Sequence, residues 1–195
     1  KMAWGLLYKF VLANLAYKVM SLVMAKTVLQ VLAYSYAYGI YMFFDFAGYS
    51  LMAIGTGYML GIKVPENFNK PFISTDMKDF WARWHISLSE WFRDFIFTRF
   101  IMSSMKKKRF KTRLTTASVG FIINMFVMGI WHGLAIQYLV YGLYHGVLLA
   151  LTEIYQKKSK FYKKNKKKRW YKIVSWAITM NFVMFGFLIF SGHII

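Results

Sequence analysis

The feature that most limits this chain is its alternation of long uncharged stretches with short runs of lysine and arginine. Thr27–Ile62 passes 36 residues with no basic residue and Asp45 as its single charge, and Leu114–Gln156 passes 43 with only Glu153. Six of the 26 basic residues crowd into Lys106–Arg113 and nine more into Lys157–Arg169. A net charge of +19 on a chain that is 58% hydrophobic does not suit a water-soluble domain. The two properties agree if the apolar stretches lie in a bilayer and the basic runs lie at its anionic cytoplasmic face. The expected class is therefore all-α: a polytopic, multi-pass transmembrane helical protein of the cell membrane.

A spanning helix needs about 20 apolar residues. Phe10–Ala25 offers one, with Lys18 in its middle. Thr27–Ile62 is too long for one simple helix and predicts one or two crossings, with a break at Gly39, Gly48 or Gly55. Pro65 and Pro71, with Asn67 and Asn69 between them, make Ile62–Asp76 a loop. The aromatic, mixed-charge stretch Met77–Met105 reads as an interfacial or partly buried helix. On it Arg83, Ser87, Glu90 and Asp94 would share one face, and Trp81, His85, Leu88 and Phe92 another. Between two cytoplasmic basic runs the chain must cross an even number of times, so Leu114–Gln156 predicts a helical hairpin turning near Gly129–Gly133. From Leu114 to His132 a helix rises about 27 Å, which puts His132 deep in the membrane or near its outer side. Trp170–Ser191 is the last expected span. Lys1 opens directly in apolar sequence, without a signal peptide's charged stretch and cleavage site, and the expected start lies within a longer protein.

The chain has no Cys, which removes disulfides, thiolate metal sites and a cysteine nucleophile. It also lacks a Gly-x-Ser-x-Gly elbow and a Walker loop, against a serine hydrolase and an ATP-driven pump. The basic runs sit between apparent spans, so acidic lipid or an acidic protein is the expected partner and nucleic acid is not.

Ionisable groups inside apolar sequence are costly, and they are the functional candidates. His132 stands in Gly129-Ile130-Trp131-His132-Gly133, where the glycines allow close approach and Trp131 can wall a pocket. Burial would hold such an imidazole neutral and able to take a proton from a hydroxyl that attacks an acyl group. Beside that reading stands a plainer one, a core histidine bonded to a neighbouring carbonyl, and spacing alone does not decide between them. His85 in Trp84-His85-Ile86-Ser87 has the same two readings, an oxyanion donor or a hydrogen-bonded spacer. His145 is not at a same-face spacing from His132, makes no i, i+4 metal pair with it, and reads as structural. No metal site is expected. Asp45 needs a polar partner such as Arg, a Tyr hydroxyl or backbone, and reads as a structural lock; Arg93-Asp94 reads as a structural pair or a polar lining.

Three stretches taken in order resemble the membrane-bound O-acyltransferase family. They are Phe43-Phe44-Asp45-Phe46-Ala47-Gly48-Tyr49-Ser50, the stretch Asp79-Phe80-Trp81-Ala82-Arg83-Trp84-His85-Ile86-Ser87-Leu88-Ser89-Glu90-Trp91-Phe92-Arg93-Asp94, and Gly129-Ile130-Trp131-His132-Gly133. The resemblance implies that residues 1–195 are the carboxyl-terminal catalytic part of a single membrane domain of that family. It implies His132 as the catalytic histidine and His85 as its second characteristic histidine, with Trp131, Ser87, Arg93 and Asp94 as substrate-binding candidates. Phe97-Thr98-Arg99-Phe100-Ile101-Met102 with the basic run after it, and Phe187-Leu188-Ile189-Phe190-Ser191-Gly192, resemble the members that move D-alanine in teichoic-acid D-alanylation. Alginate-type members show a Pro-Leu-Gly-Gly stretch that this chain lacks. That likeness implies a D-alanyl thioester on the phosphopantetheine arm of an acidic D-alanyl carrier protein, and no permanently bound cofactor. The acceptor would be an extracellular hydroxyl, on teichoic acid or a relay protein, with membrane lipids around it. Two other readings are polysaccharide O-acetylation and a non-catalytic acyl or lipid transport or scaffold subunit.

Overall fold

A computed structural model describes residues 1–23 and 27–193, and the last two residues of the predicted span Phe10–Ala25 lie outside them. Among the described residues every regular element is a helix. The chain divides into two compact units, residues 1–69 and 70–193.

In the first unit, α1 (Met2–Leu6), a π-helical stretch (Leu7–Leu12) and α2 (Ala13–Leu22) form one run along α3 (Val28–Met59). The helical run continues through the residues before the predicted span, and Lys9 within it is paired, its Nζ 2.5 Å from Asp45 Oδ1. Asp45 is thus locked as expected, though by a lysine. The break expected in Thr27–Ile62 is absent, and α3 runs 32 residues as one helix. Thr27 opens it with a capping box, its hydroxyl accepting from Gln30 N–H while Gln30 Oε1 accepts from Thr27 N–H. Gly48 and Gly55 are packing positions instead of breaks. A Cβ on Gly48 would lie 2.7 Å from the Lys9 backbone nitrogen, so α3 and the first run touch through backbone there. The predicted loop follows, and Asn67 folds back to donate to Ser50 Oγ at 3.1 Å.

The second unit opens on a 3₁₀ turn (Pro71–Ile73) and α4 (Met77–Trp81), then α5 (Ile86–Phe92), a π-helical stretch (Arg93–Phe97) and α6 (Thr98–Lys106). Next come α7 (Arg113–His132), α8 (Ile136–Lys158), the short α9 (Lys160–Asn165) and α10 (Arg169–Phe190). The expected hairpin is α7 and α8, with its turn at 133–135. The two helices meet through glycine: a Cβ on Gly142 would lie 2.5 Å from Met125 O, and one on Gly129 2.4 Å from Tyr138 O. Small residues bring the backbones this close, which dispersion rewards even where no hydrophobic effect operates. The predicted last span is α10.

The single helix expected over Met77–Met105 is broken. The chain leaves α4 after Trp81 and enters α5 through His85, whose backbone is left-handed at φ 47°, ψ 52°. A non-glycine residue there costs roughly 1–2 kcal/mol, and the surrounding packing meets that cost. Phe80, Trp81, Trp84 and Phe92 are all buried, with Phe80 stacked on Trp84 and Trp84 against Phe187 of α10. Both predicted faces are therefore cut by the break; Arg83 turns back to Asp79 at 2.7 Å. Asp76 caps α4 and accepts from Gln156 Nε2, while Lys78 pairs with Glu153 at 2.6 Å. On α4 the order Lys78, Trp81 thus matches Glu153, His145 on α8, so α4 descends beside α8 toward the hairpin turn. The helices after it return along α7, where Phe97 stacks on Phe121. Among the described residues only α7 and α10 are long and apolar enough to cross a membrane. The tyrosines of α3 and the polar residues of α8 keep those helices below that level.

Candidate functional site

His132 is the last residue of α7, and Gly133 directly after it takes φ +152°, a backbone state for which glycine is suited. A Cβ at Gly133 would also lie 2.9 Å from the Tyr138 ring. The glycine lets α8 begin close enough for its first turn to face the imidazole. Three rings surround His132 at centroid distances of 5.1 Å (Phe190), 6.2 Å (Tyr138) and 6.4 Å (Tyr141). The end of α7, the start of α8 and the end of α10 therefore converge on this imidazole. Trp131 adds a fourth ring at 4.9 Å and is itself 56% exposed.

Trp131 also reaches His85, with 6.5 Å between ring centroids. The left-handed turn that breaks Met77–Met105 puts His85 on the same aromatic group as His132, and a continuous helix would have carried it past. The structure thus brings together His132, His85 and Trp131. It gives the other candidates different places. Arg93 and Asp94 follow α5 as an exposed pair, Nε to Oδ1 at 2.9 Å. Arg93 lines a cavity of about 420 Å³ between α4, α5 and α7, along with Ile86, Ser89, Asn124 and Met128. Ile86 and Met128 are its residues nearest the histidines in sequence; His85, Trp131 and His132 themselves do not line it. Ser87 and Asp94 do not line that cavity. Asn124, 8% exposed, leaves its Oδ1 without a hydrogen-bond partner in the cavity wall, an acceptor for a ligand N–H or O–H.

His145 is built differently. It is wholly buried, accepts at Nδ1 from Trp81 Nε1 at 3.4 Å, and touches Tyr141 and Tyr144 edge-on. A Cβ on Gly186 would stand 2.3 Å from His145 Nε2, so α10 carries a glycine where the ring needs room. The ring is packed into the core and bonded at Nδ1, while its Nε2 faces Gly186 without a hydrogen-bond partner. Among the described residues no three His, Asp or Glu side chains gather as metal ligands.

Comparison with known proteins decides the family. Residues 2–194 match the membrane-bound O-acyltransferase family. The chain belongs to that family. It is 50% identical over 192 residues to a teichoic acid D-alanyltransferase of Bacillus subtilis (strain 168), covering 96% of this chain and 49% of that protein. To the teichoic acid D-alanyltransferase of Streptococcus thermophilus it is 45% identical over 207 residues, covering 97% of this chain and 50% of the relative. A probable alginate O-acetylase of Pseudomonas fluorescens is 40% identical over 157 residues, covering 80% and 29%. The chain spans about half the length of the D-alanyltransferases it matches.

Tyr138, Tyr141 and Phe190 were not expected at the site. The two tyrosines fall three apart on one face of α8, a signal present in the sequence. Phe190 lies in the stretch 187–192 that carries a likeness, but no spacing ties it to His132, and it reaches the site because α10 packs on α8.

Proposed function

We propose that this chain carries the reacting centre of a multi-pass membrane O-acyltransferase that moves D-alanine from a carrier-protein thioester to a hydroxyl outside the membrane. The observation that carries the reading is the pair of imidazoles on Trp131, one at the meeting point of three helix ends. Support for the acyl group comes from similarity, which is higher to the D-alanyltransferases than to the alginate O-acetylase.

In this reading α7 and α8 form a hairpin between two cytoplasmic basic runs and α10 leaves from the second. The ends of α7 and α10 and the start of α8 then all lie on the outer side. His132 sits where an acceptor from outside can reach it. The carrier's phosphopantetheine arm brings D-alanine from the cytoplasmic side, where the basic runs attract an acidic carrier. The hydroxyl oxygen attacks the thioester carbonyl while His132 takes its proton. The carbon–sulfur bond then breaks, the ester remains on the acceptor, and the imidazolium returns the proton to the departing thiolate. His85, or donors close to it, stabilises the oxygen on which charge builds. Trp131 holds both rings and limits water. No covalent enzyme intermediate is required.

The test follows labelled D-alanine from a charged carrier to membrane acceptors, with the complete enzyme and with His132→Ala at matched expression and carrier binding. Loss of transfer with binding retained supports the assignment. Normal transfer by the variant removes it, and transfer of acetyl but not D-alanyl groups moves the chain to polysaccharide O-acetylation.

A further inference from the structure

A second cavity, of about 480 Å³, lies away from the histidines, between α8, α9 and α10. Its walls change character along its length. On α10 the lining residues run Lys172, Ser175, Ile178, Thr179 and Phe182, one helix face about 15 Å long from lysine to phenylalanine. On α8, which runs antiparallel, Gln156 and Tyr155 stand at the polar end and Leu151 and Leu148 further in. The Tyr171–Tyr155 hydroxyl contact at 3.2 Å closes the polar end, and the bond from Tyr144 to Phe182 O at 2.9 Å ties the helices beyond the apolar one. Leu151, Val174, Ile178 and Phe182 are each more than 40% exposed, so the apolar part opens sideways and not toward the site.

Charge points the same way. Lys166 and Lys172 line the polar end, and Lys166 is held over the Tyr162 ring at 5.5 Å. The one acid there, Asp76, is already engaged by two backbone N–H groups and Gln156. The basic run is ordered at this point: Ser159 caps α9 and Asn165 is buried. Phe161 and Trp170 flank the lysines, as aromatic residues do at a membrane interface.

We propose that this cleft binds one anionic phospholipid, its phosphate on Lys166 and Lys172 and an acyl chain along α8 and α10 against Leu151, Ile178 and Phe182. The proposal rests on the membrane reading of α10 and not on the acyl-transfer reading. A lipid fits better than a phosphopantetheine arm because the exposed inner residues Leu151, Val174, Ile178 and Phe182 are all apolar.

The experiment measures lipid retention by native mass spectrometry on the complete purified protein, titrated with dioleoyl phosphatidylglycerol, dioleoyl phosphatidylcholine or free 4′-phosphopantetheine. Two lysines at the headgroup are expected to favour the net-negative glycerol lipid about thirtyfold over the zwitterionic choline lipid. Lys166→Gln with Lys172→Gln, both exposed positions, should bring that ratio close to one in a protein that still folds. Leu151→Trp should weaken both lipids alike and leave their ratio. Equal retention of the two lipids by the unaltered protein overturns the proposal, as does a preference the double lysine variant keeps. Displacement of the lipid by stoichiometric phosphopantetheine would also overturn it, making the cleft a donor site. D-Alanine transfer reports separately on the histidines, so either reading can fail alone.

Discussion

His132 and His145 stand on one helical hairpin, and their surroundings differ in a way that separates chemistry from packing. His145 has no exposure, a hydrogen bond from Trp81 and a glycine opposite that makes room for it. His132 ends a helix beside a glycine turn, has rings on several sides but no such fitted partner, and shares Trp131 with His85. An imidazole enclosed by its neighbours has no room for a substrate. His132 is only partly buried, and Trp131 beside it is exposed. The two rings are equally improbable in apolar sequence, so the distinction comes from what packs around each.

The largest effect expected from that contrast is on rate. His132→Ala should lower D-alanine transfer about 10²–10⁴-fold while thermal unfolding in detergent stays close to the unaltered protein's. His145→Ala should do the reverse, costing about 2–4 kcal/mol for the cavity and lost packing, with transfer per folded molecule largely kept. If His145→Ala lost transfer without losing stability, the contrast would be wrong. Gly186→Ala follows in size. The new methyl would meet His145 Nε2 at 2.3 Å, and overpacking of this kind costs about 1–3 kcal/mol. Combining it with His145→Ala should remove most of its cost, because the clashing atom is gone.

The hairpin was readable because two basic runs bracket an uncharged stretch and Gly133 marks its turn, while Gly129, read with it, lies inside α7; α10 was readable as an apolar run behind a basic one. The break at His85 was not. Trp81, His85, Leu88 and Phe92 keep helical spacing through it, and no glycine or proline announces a left-handed residue beside the buried aromatic cluster of Phe80, Trp84 and Phe187. In α3 the error ran the other way: Gly48 and Gly55, read as breaks, are contact points for a neighbouring helix. The Lys9–Asp45 pair joins two helices across the first unit, and no periodic rule links such positions. The same limit applies at the site. His85 and His132 meet on one tryptophan through tertiary packing, and before the structure only their likeness to family motifs placed them together.

The smallest expected effect concerns how His145 is held. The Trp81 Nε1–His145 Nδ1 distance of 3.4 Å is long for a hydrogen bond, while the two rings also meet edge-on with centroids 5.3 Å apart. If the N–H matters, Trp81→Phe loses it together with some ring volume, and His145→Phe loses the acceptor while keeping an aromatic ring. Comparing the two single variants with the double in thermal or denaturant unfolding isolates the term they share. A coupling of about 0.5–1 kcal/mol is expected for a buried neutral hydrogen bond. A coupling indistinguishable from zero would mean that ring packing and the space left by Gly186 hold His145 by themselves. The core histidine would then differ from His132 in its enclosure alone, and not in having a polar partner.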